Sequence, residues 1–114
     1  MHEMGTVMYV IRTVNDICEH NELTKVASVT LEVGEVSGIL PDYIQSFWQW
    51  AVKKETYLQD SELIIENLKA VTRCGDCDKT YETVRFAKIC PFCGSENTWL
   101  ETGNEYNIKE ILAY

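Results

Sequence analysis

Cys74-Gly75-Asp76-Cys77 and Cys90-Pro91-Phe92-Cys93-Gly94 decide how this chain is read: two C-x2-C pairs with twelve residues between them. Each pair reverses within two residues, so both sulfurs of a knuckle face one point. Gly75, Pro91 and Gly94 are residues that such tight turns need. Four thiolates converging from two knuckles make a closed, tetrahedral S4 site, the donor set that structural zinc takes. The competing reading, two disulfides, belongs to small secreted chains, and no signal peptide opens this sequence. Zinc is favoured over iron because nothing in the sequence calls for redox work.

A module of this size cannot bury a core of its own, so the metal supplies its folding free energy. The chain has 114 residues, enough for that module and one modest domain beside it. No apolar run approaches the roughly 20 residues that span a bilayer. Reduced cysteines without an export signal place the expected location in the cytoplasm. Charge narrows the partners. Lys and Arg number 10 against 18 Asp and Glu, a formal net charge of −8. Between Arg73 and Glu96 the signs balance, and four thiolates on one Zn(II) leave that stretch about two charges negative. A ribbon that binds nucleic acid needs a basic face for phosphates, which is missing here. A zinc-ribbon module for protein or nucleic-acid interaction is therefore the second reading, behind cationic surfaces, metal ions and other proteins as partners. An enzyme is not expected: four cysteines close the metal's coordination, and no Ser-His-Asp, Cys-His or phosphate-loop pattern appears.

Outside the module the periodicities predict helix, strand, helix, strand and a closing strand. Met4, Val7, Met8, Ile11, Val14 and Cys18 recur at helical spacing, giving an amphipathic helix over residues 4–20. Cys18, on that stripe, reads as a small buried hydrophobe, and His20 as a surface residue. Ala27, Val29, Leu31 and Val33 alternate with polar residues, a half-buried strand over 25–35. Pro41 and Asp42 open a second helix over 41–55, closed by Lys53 and Lys54. Trp48 and Trp50 cannot share one face of it, so one of them is exposed. Residues 62–70 form a second strand that runs into the first knuckle. Short strands over 80–84 and 98–101 lie within the ribbon, with Phe86, Phe92 and Trp99 packed around the metal. The tail from Glu105 makes a final strand returning to the first two. The fold class is α+β: two helices on a small three-stranded sheet, with an inserted zinc-ribbon module of four cysteines. Residues 1–70 with 104–114 form one domain, and 71–103 form the zinc-binding domain.

His2 stands next to the chain terminus. The Met1 amine, the His2 amide nitrogen and the His2 imidazole form consecutive chelate rings, and the Glu3 amide or carboxylate completes a square plane. Amide donors with an imidazole select Ni(II) or Cu(II). By position alone, a plain surface histidine is the competing reading.

Met1-His2-Glu3-Met4, the amphipathic helix, the Gly34-Glu35-Val36-Ser37-Gly38 turn, and C-x2-C followed by CPxCG together resemble the HypA/HybF family. These accessory proteins deliver nickel during maturation of [NiFe]-hydrogenase, and the resemblance runs the length of the chain in order. It implies Ni(II) as transient cargo at Met1, His2 and Glu3, and structural Zn(II) on Cys74, Cys77, Cys90 and Cys93. It implies as partners the GTPase nickel chaperone HypB and the hydrogenase large subunit, with urease served in some organisms, no nucleic acid and no membrane. The protein itself is expected as a monomer or homodimer. Some relatives carry histidines flanking the knuckles that exchange for thiolates; here Asp78 and Gly94 stand there.

Overall fold

In the computed structural model the described residues run from His2 to Tyr114, and for His2 and Glu3 they comprise the backbone alone. The chain divides into two compact units, one of Met1–Glu32, Ile39–Glu66 and Asn107–Tyr114, the other of Val33–Gly38 and Asn67–Tyr106.

The first unit is built on helix α1 (His2–His20), helix α2 (Pro41–Ala51) and the greater part of three strands, β1 (Val26–Gly34), β2 (Glu62–Leu68) and, at the C-terminus, the strand Tyr106–Ala113. The apolar stripe of α1 is buried as its spacing requires: Val7, Val10, Ile11, Val14 and Cys18 are all inside, while Met8 turns partly outward. Pro41 sits in the first turn of α2 with Asp42 beside it, where a missing N–H costs nothing and the helix dipole favours an anion. Lys53 and Lys54 follow in the 3-10 turn Val52–Lys54, at the end that favours cations. Trp48 is the buried tryptophan, and Trp50 is exposed.

The sheet has β1 at its centre, between β2 and the C-terminal strand. Tyr114 N–H bonds Lys25 O and Gly34 N–H bonds Glu105 O, so the C-terminal strand runs antiparallel to β1. Val26 N–H bonds Tyr57 O and Glu35 N–H bonds Leu68 O, so β2 runs parallel to β1, which requires the crossover that α2 supplies. One expectation fails here. β1 is not half-buried: Ser28 and Thr30 are inside along with Val26, Val29, Leu31 and Val33. A central strand has its backbone covered on both edges, and short hydroxyl side chains between two neighbours add little surface.

The second unit holds a separate three-stranded sheet: β3 (Val71–Cys74) lies between β4 (Thr80–Glu82) and β5 (Thr98–Thr102). Both pairings are antiparallel, with Arg73 opposite Thr80 on one side and Trp99 on the other. A single helical turn, α3 (Thr83–Phe86), follows β4, and the C-terminal strand of the first sheet is β6. The predicted strand over 80–84 therefore ends two residues early, and β3 is a strand in its own right rather than the end of β2. Its four residues are too few to announce themselves by alternation.

Candidate metal centre

The two knuckles have one structure. In the first, Cys74 N–H bonds Lys79 O at 2.9 Å and Asp78 N–H bonds Cys74 O at 3.0 Å. In the second, Cys90 N–H bonds Ser95 O at 3.0 Å and Gly94 N–H bonds Cys90 O at 2.9 Å. The residue after each C-x2-C pair adopts a positive φ, 60° at Asp78 and 74° at Gly94. Asp and Gly are among the few residues that take this conformation cheaply. The N–H two residues beyond each leading cysteine also points at its sulfur: Asp76 to Cys74 Sγ and Phe92 to Cys90 Sγ, each at 3.4 Å.

The knuckles bring all four sulfurs to one place. The Sγ atoms of Cys74, Cys77, Cys90 and Cys93 lie within 4.8 Å of one another. Cys74 faces Cys93 and Cys77 faces Cys90, both at 3.6 Å. A tetrahedral zinc with bonds of about 2.3 Å has sulfurs about 3.8 Å apart, so the donor set fits a closed four-sulfur site of that size. No ligand position is left for a substrate, which suits a structural metal and not a catalytic one. Cys18, buried in α1, belongs to a different part of the chain, and burial pushes its thiol pKa up.

Without metal the four thiols are unequal. Backbone N–H donation, from Cys77 foremost and also from Asp76, brings Cys74 down to about 7 against the opposing cost of burial. At Cys93 the Ser95 N–H favours the thiolate, but the contact with Cys74, burial, and the contacts with Cys90 and Cys77 outweigh it and push the thiol up to about 12. Negative charge therefore settles first on the leading cysteine of a knuckle.

Residues beyond the cysteines hold the first knuckle in place. Asp76 accepts hydrogen bonds from Ser95 Oγ and from Asn97 Nδ2, tying the first knuckle to the loop after the second. Gly75 N–H bonds Asn97 O at 2.8 Å, and a Cβ at Gly75 would meet Asn97 Nδ2 at 2.7 Å, so a side chain there would push the Asn97 amide away from Asp76. Sequence reasoning missed Asp76, Ser95 and Asn97; the signal was a carboxylate inside a knuckle, where a solvent-facing turn needs none. It also misplaced the aromatic shell. Tyr81 packs with Cys74 and Cys90, its hydroxyl bonded to Ala87 O at 2.8 Å. Phe92 and Trp99 stay half-exposed, and Phe86 meets Tyr81 edge-on from outside. Four thiolates leave little apolar perimeter, and one ring on the sheet fills it.

The other expected ligands, Met1 and the side chains of His2 and Glu3, lie outside the described residues. His20 is exposed, its Nδ1 at 2.7 Å from Asp16 O. Among the described residues, no helix is long and apolar enough to cross a membrane.

A family model described as "Hydrogenase/urease nickel incorporation, metallochaperone, hypA" matches residues 1–113. Two relatives are named hydrogenase maturation factor HypA, and each match covers 97% of either chain. One is from Geotalea uraniireducens (strain Rf4), 33% identical over 112 residues. The other is from Geobacter metallireducens, 32% identical over 112 residues. The fold is shared with the solution structure of the Ni metallochaperone HypA from Helicobacter pylori (TM-score 0.70, 21% identity, 97% of this chain and 96% of that one). It is shared too with the solution structure of a HypA protein (TM-score 0.76, 23% identity, 100% of this chain and 97% of that one).

Proposed function

The chain belongs to the HypA family of hydrogenase/urease nickel-incorporation metallochaperones, and from that premise we propose that it carries Ni(II) to a [NiFe]-hydrogenase during maturation of that enzyme. The observation that carries this reading is the family match over residues 1–113, which takes in Met1-His2-Glu3 and both knuckles. Members of this family are accessory factors, not catalysts.

The proposed cargo site is the Met1 amine, the His2 amide and imidazole, and the Glu3 backbone. One feature of the backbone favours it. α1 begins at His2, so the amides of His2 and Glu3 fall in the first turn, where no carbonyl of the helix takes them up. Elsewhere in a helix an amide nitrogen must break a hydrogen bond before it can bind a metal; here it need not. Such a site also releases its cargo readily. Its amide donors are reprotonated one at a time as a recipient's ligands replace them.

Cys74, Cys77, Cys90 and Cys93 would hold zinc, which crosslinks the two knuckles and stands in for the apolar core that residues 71–103 lack. In this reading, residues 1–70 with 104–114 form the nickel-binding domain. The partners are the GTPase nickel chaperone HypB and the hydrogenase large subunit, met in the cytoplasm by a monomer or homodimer. Replacing His2 by Ala should abolish tight nickel binding while one zinc per chain remains. Wild-type nickel affinity in that variant would remove the terminal site. Nickel content of the large subunit, purified from cells with and without this protein, tests the recipient; unchanged loading would exclude hydrogenase.

A further inference from the structure

The second unit carries a groove that neither metal site uses. Its volume is about 330 Å³, roughly twice an apolar cavity of about 150 Å³ that takes up a benzene ring, so it has room for two apolar side chains. Val36, Val84, Trp99 and Leu100 form its walls and are 38%, 65%, 50% and 39% exposed. A single exposed Leu is ordinary, but four large apolar side chains around one concavity mark a docking surface. The hydroxyls that line it are already satisfied: Thr72 Oγ1 and Thr83 Oγ1 bond each other at 2.6 Å, and Thr98 Oγ1 bonds Lys88 O at 2.7 Å. The groove therefore asks for apolar anchors rather than polar ones.

Charge selects the occupant. Among the described residues, Lys88 is the only ionic one lining the groove; the Arg85 guanidinium lies over the Phe86 ring, 5.3 Å from its centroid. Lys69 is paired with Glu82, and Arg73 with Asp78 and Glu101, but neither Arg85 nor Lys88 has a carboxylate partner among the described residues. We propose that this groove docks an acidic peptide segment of a partner protein, its apolar side chains between Val84 and Leu100 and a carboxylate on Lys88. A second copy of this chain, or a nucleic acid, would bring many negative charges against a chain of net charge −8. A short segment with a few carboxylates is repelled less, because charges beyond about 8 Å are screened at physiological salt. None of the lining residues is a cysteine or lies at the N-terminus, so docking here is independent of the nickel reading.

The test uses the zinc-loaded full chain and a fluorescein-labelled decapeptide alternating leucine with glutamate, followed by anisotropy. The matched probe replaces each glutamate by lysine. Saturable binding of the acidic peptide is expected, about tenfold or more tighter than the lysine peptide. Val84→Asp, at an exposed position, puts a carboxylate into the apolar wall and should weaken binding of the acidic peptide about tenfold. Lys88→Glu should erase the preference for the acidic peptide, and Lys88→Arg should restore it, with zinc content constant throughout. The proposal is overturned by equal affinity for the two peptides, by no saturation below about 1 mM, or by wild-type affinity in Val84→Asp. It is overturned equally if oligothymidylate displaces the acidic peptide and binds more tightly, or if wild-type chains self-associate and Val84→Asp makes them monomeric, which would assign the groove to nucleic acid or to a second copy.

Discussion

Gly34→Ala puts one methyl group where two stretches of backbone already meet. A Cβ at Gly34 would lie 2.0 Å from Gly103 O, 2.2 Å from Gly103 C and 2.6 Å from Asn104 N. None of these is a flexible side-chain tip, so the backbone must separate by more than about 1 Å to restore ordinary contact near about 3.4 Å. Two hydrogen bonds cross this point: Gly34 N–H to Glu105 O and Val36 N–H to Gly103 O, both 2.8 Å. Moving apart weakens both, at about 0.5–1.5 kcal/mol each, and overpacking adds about 1–3 kcal/mol. The sum, about 2–6 kcal/mol, is a large part of the stability of a small protein. With a slope of about 2 kcal/mol per molar, the urea midpoint of the zinc-loaded chain should fall by about 1–3 M. Gly5→Ala is the matched control. Nothing lies within 4 Å of its added Cβ and it sits in α1, so the same substitution should be neutral or raise stability by up to about 1 kcal/mol. An unchanged midpoint for Gly34→Ala would refute the reasoning, because no rearrangement short of parting the end of β1 from the Gly103–Asn104 backbone accommodates that methyl.

Cys93→Ser should lose the zinc and unfold β3, β4 and β5 while the helical signal of α1 and α2 persists, since zinc contributes about 10–16 kcal/mol in comparable small sites; amide spectra with zinc analysis decide it, and a folded, zinc-free ribbon would contradict it. Zinc binding displaces thiol protons, and the number displaced should rise as the pH falls from about 8 to about 6. Cys74, near 7, has already lost its proton at the upper end and holds it at the lower, whereas Cys93, near 12, yields one throughout. Calorimetry in buffers of different ionisation enthalpy measures the protons, and a pH-independent count would refute the ordering. Cys18→Ala should leave the content of both metals unchanged, because Cys18 is fully buried in α1; loss of one equivalent would show that it is a ligand.

Much of the fold was legible because long periodic segments report their buried faces. The stripe through Val7, Ile11, Val14 and Cys18 defined α1, and Pro41 with Asp42 marked the start of α2. What failed was local or topological. Alternation in β1 could not reveal that this strand becomes the centre of a sheet, so Ser28 and Thr30 were placed outside. Four residues of β3 and four of α3 are too short for periodicity to separate them from their neighbours. Convergence of the four sulfurs was legible, since C-x2-C forces each pair to turn and two turns can share one metal. The bracing by Asp76, Ser95 and Asn97 was not, because which loop lies beside a knuckle is decided by the fold. Tyr81 was passed over for larger or nearer aromatics, although its place opposite Thr72 in the β3–β4 register is what turns it toward the cysteines.

The most direct test of the nickel reading concerns the terminus itself. Ni(II) is titrated into the tag-free chain and into the same chain with extra residues ahead of Met1, with zinc quantified in both. Loss of a stoichiometric planar Ni(II) spectrum on extension, with one zinc per chain retained in each, is the expected result. Equal nickel binding by the two proteins, or binding by neither, would contradict a cargo site at Met1, His2 and Glu3.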